Sequence, residues 1–125
     1  MKKILIICIS IIILKTVIFE QVKLESYMPK ILTLNSDGHN DVLHIKYENL
    51  EGENITLRVY DIQGVLVDER KLTGSQDERS EGSIYIYRYN PRLSHLNDKL
   101  QPGIYIFTLT TENKIIGKGT FIIAK

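Results

Sequence analysis

Leu57-Arg58-Val59-Tyr60-Asp61-Ile62-Gln63-Gly64-Val65-Leu66-Val67 is the stretch that decides the fold. Ile55, Leu57 and Val59 alternate with Thr56, Arg58 and Tyr60, so this run buries one face and wets the other, the period-two pattern of a strand. Asp61-Ile62-Gln63-Gly64 then reverses the chain, with the terminal glycine supplying the positive φ that a tight hairpin needs. Val65 to Leu72 returns antiparallel.

The same alternation recurs on both sides of this hairpin. Upstream, Lys30 to Leu34 reads as a short strand, Asn35 to Asp41 as a turn rich in Asx-type residues, and Asp41 to Tyr47 as a second strand. Downstream, Thr73 to Glu81 is the most polar stretch and reads as a mobile loop. Ser83 to Tyr89 is strongly β, with Ile84 and Ile86 opposite Tyr85, Tyr87 and Tyr89. Asn90 to Gln101 is a connection with room for one helical turn around Ser94 to Asp98. Pro102-Gly103 opens Ile104 to Thr111, and Glu112-Asn113-Lys114 turns into Ile115 to Ala124. About seven short strands at this turn spacing, with no sustained helical period, predict an all-β fold: an antiparallel immunoglobulin-like β-sandwich.

The start of the chain follows different rules. Met1-Lys2-Lys3 is basic and Ile4 to Leu14 is an apolar run, the layout of an export signal and too short for an ordinary bilayer span. No small-x-small cleavage site follows, since Lys15 to Glu20 is mostly bulky or charged. An uncleaved anchor from Ile4 to Phe19, with Lys15 reaching the interface, is the alternative. The expected organisation is therefore a signal peptide or anchor over 1–19, a linker over 20–28 and the sandwich over 29–125. The expected location is outside the cytoplasm: periplasm, outer-membrane surface or secreted.

Composition excludes several function classes. The lone Cys8 lies in the leader, which leaves the body without thiol catalysis, cysteine-type zinc sites or disulfides. The chain carries a formal net charge of +1. Setting residues 1–25 aside leaves 12 basic and 13 acidic side chains, so no basic stripe remains to hold a phosphate backbone. His39, His44 and His95 are scattered, and no nucleophile–base pair or phosphate loop stands out; the expectation is no enzyme and no catalytic residue. Asn35, Asp37, Asn40 and Asp41 surround Gly38 with oxygen ligands. Two carboxylates fall short of a full calcium loop, so an Asx-stabilised turn is expected, with calcium on Asn35, Asp37 and Asp41 as the weaker alternative and no other cofactor. Tyr85, Tyr87 and Tyr89 form one strand face, read as packing rather than as a sugar- or peptide-binding surface.

Three pieces of the body together resemble a family. Leu34-Asn35-Ser36-Asp37-Gly38-His39-Asn40-Asp41 resembles the opening of the type IX secretion C-terminal sorting domains, including the gliding-motility-associated C-terminal domains. Ser36 and Leu34 stand where that pattern usually has Gly and Pro. Leu57 to Val67 is similar to their central Tyr-Asp-x-x-Gly hairpin, and Leu93-Ser94-His95-Leu96 with Leu100-Gln101-Pro102-Gly103-Ile104-Tyr105 is similar to their late segment. The immunoglobulin-like domain of flagellar hook-capping proteins has a comparable pattern. The resemblance implies a domain that does no chemistry and is recognised by outer-membrane secretion or attachment machinery. The residues it singles out are Gly64, Pro102, Gly103, Tyr105, Gly117, Lys118 and Lys125. Only about ten residues separate leader from domain, so a domain without attached cargo is expected. The alternative is a membrane-tethered structural or adhesive module that assembles with protein partners. On either reading Asn54-Ile55-Thr56 is a coincidental glycosylation match if the chain is bacterial.

Overall fold

The computed structural model describes residues 22–34, 40–91, 100–112 and 114–124. In chain order its strands are β1 (Val22–Met28), β2 (Ile31–Thr33), β3 (Leu43–Asn49), β4 (Thr56–Asp61) and β5 (Leu66–Lys71). They continue as β6 (Glu78–Glu81), β7 (Ile84–Tyr89), β8 (Gly103–Thr111) and β9 (Lys114–Ala124). One sheet has the order β1-β3-β7-β6 and the other β2-β9-β8-β4-β5. This is the arrangement of an immunoglobulin-type sandwich in which the chain's first segment serves both sheets. β1 runs antiparallel to β3, and after the cis peptide at Met28–Pro29 the chain changes layer, so that β2 lies parallel to the end of β9.

All seven expected strands are present, and two more join them. β1 occupies most of the segment read from sequence as a linker, which moves the start of the sandwich back to Val22. Its alternation is interrupted by a register shift between Leu24 and Ser26, so Leu24 and Tyr27 both face inward although three residues apart. Tyr27 meets Phe107 edge-on at 4.9 Å, and its hydroxyl accepts the Thr120 N–H at 3.2 Å. β6 lies inside the stretch expected to be a mobile loop. Its Glu-Arg-Ser-Glu sequence has no strand signature, and it forms because β7 offers its free edge. Glu78 also accepts a hydrogen bond from the Tyr47 hydroxyl. A short, charged strand at a sheet edge discourages pairing with other chains. The helical turn expected around Ser94 to Asp98 and the leader over 1–19 lie outside the described residues.

The two inner faces meet in a core rich in aromatic rings. Phe121 stacks on Tyr105 at 5.6 Å and lies 6.1 Å from Tyr89. Tyr47 stacks on Tyr85 at 5.5 Å. The tyrosine face of β7 is therefore its inner face, with Tyr87 and Tyr89 fully buried. Removing a ring such as Phe107 costs about 3–5 kcal/mol at sites of this kind. One side of the core is polar instead. Arg70 and Asp68 of β5 are both buried and paired at 3.2 Å, the guanidinium lies 4.7 Å from the centre of the Tyr89 ring, and the Tyr89 hydroxyl donates to Asp68 at 2.8 Å. Burial first, and then the Asp68 charge, push the Tyr89 pKa well above its ordinary value, so this hydroxyl remains a donor.

Candidate recognition surface

The five-stranded sheet turns a second, outer face away from the core. Strand register places its side chains in rows. At one end Ile31 of β2 lies opposite Ile122 of β9, which lies opposite Ile104 of β8. These three are 52%, 39% and 46% exposed. The next row is Thr120, Ile106, Tyr60 and Leu66, and the one after it Lys118, Thr108, Arg58 and Glu69. Rows repeat about every 7 Å along a strand. An exposed isoleucine row thus lies beside a half-buried row that is apolar except for Thr120, with a polar row beyond, and the β4–β5 turn adds exposed Ile62 and Val65. Contiguous exposed apolar side chains on one sheet face are the kind of feature that can mark an interaction site.

The backbone around this patch is firmly held. Asp61 N–H donates to the Val65 carbonyl at 2.9 Å, and Gly64 N–H to the Asp61 carbonyl at 3.0 Å. The Asp61 carboxylate accepts the Gln63 and Val65 N–H groups, each at 2.9 Å. Gly64 has φ +85°, a conformation that side chains with a Cβ rarely adopt. In the polar row, Arg58 Nε donates to Glu69 at 2.8 Å and Arg58 Nη1 to the Thr110 hydroxyl at 3.2 Å.

The profile of the CHU_C type IX secretion signal domain matches residues 26–123. The chain belongs to this family.

A type IX secretion signal domain marks an exported protein and is read by a protein secretion machinery; the family is not a catalytic one. Among curated proteins no sequence match was found. Solved structures of similar fold include a β-glucosidase from Listeria innocua in complex with glucose, at 16% identity and a TM-score of 0.51, and a second structure of β-glucosidase from Listeria innocua, at 16% identity and 0.51. Each alignment covers 83% of this chain and 16% of the glucosidase, so the likeness concerns the fold alone.

The signal domain distributes its sequence-marked residues in two groups. Gly64, Pro102 and Gly103 are exposed at the end of the five-stranded sheet where Ile104 lies; Gly103 pairs with buried Ile123, so it stands at the rim of the sandwich. Exposed Lys118 stands in the polar row. Tyr105 and Gly117 go inward. The Tyr105 hydroxyl donates to the Gln101 carbonyl at 2.5 Å, pinning the entry to β8 in the manner of the tyrosine corner of such sandwiches. Burial, and then the nearby Asp61 charge, raise its pKa. At Gly117 a Cβ would come within 2.6 Å of Leu24, and at Gly119 within 2.6 Å of Tyr27, so both glycines let β1 close over β9.

Lys125, Asn35 and Asp37 lie outside the described residues, as do His39 and His95. Asp41 is half-buried beside Asn40, whose carbonyl accepts the Thr33 N–H at 2.9 Å and whose φ is +56°. Among the described residues no three His, Cys, Asp or Glu side chains are grouped to hold a metal ion. His44 is exposed on the opposite sheet. Sequence reasoning missed the isoleucines of the patch. Their signal was present in Ile104-Tyr105-Ile106-Phe107 and Phe121-Ile122-Ile123, where both faces of a strand are apolar although only one can face the core.

Proposed function

We propose that the domain acts by being recognised, without catalysis, and that the outer face of the five-stranded sheet is what the type IX machinery reads. One observation carries this: a member of a secretion-signal family presents contiguous apolar side chains on one outer face, with its hairpin turn and Pro102-Gly103 at one end and Lys118 in the bordering polar row. Gly64, Pro102, Gly103 and Lys118 serve as contacts, whereas Tyr105 and Gly117 act by holding that face in shape. The function requires no cofactor. To test this, residues 22–125 are fused behind a periplasmic reporter in type IX-competent cells. Arrival of the reporter at the surface or in the medium is expected, and its retention in cells lacking the machinery. Equal arrival in both strains sinks the proposal.

A tethered module is the second reading, favoured by the bulky, charged residues after the apolar leader. β1 begins three residues after Phe19, so a retained anchor would hold the Val22 end of the sandwich close to the membrane. A native N-terminus at Met1 or Lys2 supports tethering, and one near residue 20 supports release.

A further inference from the structure

The patch also has a shape and a charged border, and together these point to the chemistry of its partner. Five strands at about 4.8 Å spacing make the apolar band about 20 Å long across the sheet, and its two rows make it one helix diameter wide. A single narrow element fits a band of this shape better than a second folded domain. One long side of the band is bordered by the row of Lys118 and Arg58, with exposed Lys71 in the row beyond. Glu69 is already engaged by Arg58, and among the described residues neither Lys118 nor Lys71 has an ion-pair partner. The border is net basic, whereas the band itself is uncharged.

We infer that this face docks an amphipathic helix of a protein partner, about 13 residues long, with apolar side chains at i, i+3 and i+4 spacing and Asp or Glu along one flank. The apolar stripe of the helix lies over Ile31, Ile122 and Ile104, with Ile106, Tyr60 and Leu66 beside them. Its acidic flank lies over Lys118. Apolar burial supplies the affinity, while the one-sided charge fixes which way the helix lies. This inference rests on the proposal that the domain acts by being recognised, and it names what recognises it.

The test uses the full chain in type IX-competent cells, with p-benzoylphenylalanine placed at Ile104, or at Lys46 on the opposite sheet as a control. After illumination, the cross-linked peptide is identified by mass spectrometry. The expected product from Ile104 joins a partner segment with the stated spacing and an acidic flank. Lys118→Glu should lower its yield at least threefold and Lys118→Arg should preserve it, both variants melting as the parent chain does. A product with a second copy of the chain, with lipid, or with a segment lacking the acidic flank overturns the inference. So does no product at Ile104, the same product from Lys46, or a yield indifferent to Lys118→Glu. Surface arrival is scored in the same cells by protease shaving. Machinery-dependent arrival without the expected cross-link removes the helix but leaves recognition standing; arrival that ignores the machinery removes recognition by it.

Discussion

On the outer face of the four-stranded sheet, the register sets His44 opposite Arg88, Lys46 opposite Ile86 and Ile86 opposite Arg79. Across the sandwich, the outer face of the five-stranded sheet sets Ile31 opposite Ile122 and Ile122 opposite Ile104. Both faces see solvent, and both belong to strands whose inner side chains fill the same core. On the first, Met28 and Ile86 are exposed and Ile84 is half-buried, but His44, Lys46, Glu48, Arg79 and Arg88 flank them, as charges flank scattered apolar residues on ordinary protein surfaces. On the second, the isoleucines are contiguous. Core packing explains neither pattern, because every side chain concerned points away from the core. The difference is what the proposed recognition surface rests on.

The comparison holds only while the two sheets stay packed, so the largest expected effect lies between them. Asp68→Ala leaves Arg70 buried without its carboxylate, and at such sites the loss is about 3–5 kcal/mol. Denaturant titration of the domain should show that loss, and delivery to the cell surface should fall with it. Next come the faces themselves. Ile104→Asp combined with Ile122→Asp should cut delivery tenfold or more while the melting temperature moves by only a few degrees. Ile86→Asp, the same chemistry on the opposite face, should change delivery less than twofold. Equal losses from both faces would erase the distinction drawn between them.

Two smaller effects sharpen it. Tyr105→Phe removes one hydrogen bond to Gln101 and should cost about 1 kcal/mol of stability, with delivery unchanged below the melting range. A specific delivery defect in that variant would make Tyr105 a contact residue instead of a support. The smallest effect concerns the β6 edge. Burial raises the Glu78 carboxyl above its ordinary 4.5, and the hydrogen bond from Tyr47 offsets only part of that rise. A raised pKa means the folded state holds the proton more tightly than the unfolded one. The stability this group contributes is thus present below pH 4.5 and is lost as pH rises through its folded pKa. Glu78→Gln keeps an acceptor for Tyr47 and should flatten this part of the stability–pH curve.

Much of the fold was readable because its signals are local. The Asp61–Gly64 turn needs only an Asx side chain and a residue that tolerates positive φ, and both are visible in four letters. β1 was hidden because its register shift after Leu24 breaks the alternation, and because the apolar leader directly precedes it. β6 was hidden because nothing in Glu78–Glu81 favours a strand until β7 offers an edge and Tyr47 offers a hydroxyl. Of the recognition surface, the turn, Pro102-Gly103 and Lys118 could be found as motif residues. The apolar band could not, because Ile31 comes from a strand far in sequence from those of Ile104 and Ile122, and only register makes the three neighbours. Motif resemblance likewise could not separate Tyr105 from Gly103. Both sit in one short motif and on the same face of β8, yet Tyr105 is buried while Gly103, at the strand's start, is exposed.

The most direct test of the central claim is quantitative surface delivery of a reporter carried by residues 22–125, compared between the two outer faces in one type IX-competent strain. The expected result is a loss of tenfold or more with Ile104→Asp and Ile122→Asp, near-normal delivery with Ile86→Asp, and parent-like melting for both variants. Normal delivery after the charges are introduced at Ile104 and Ile122 would contradict the assignment of that face as the one the machinery reads.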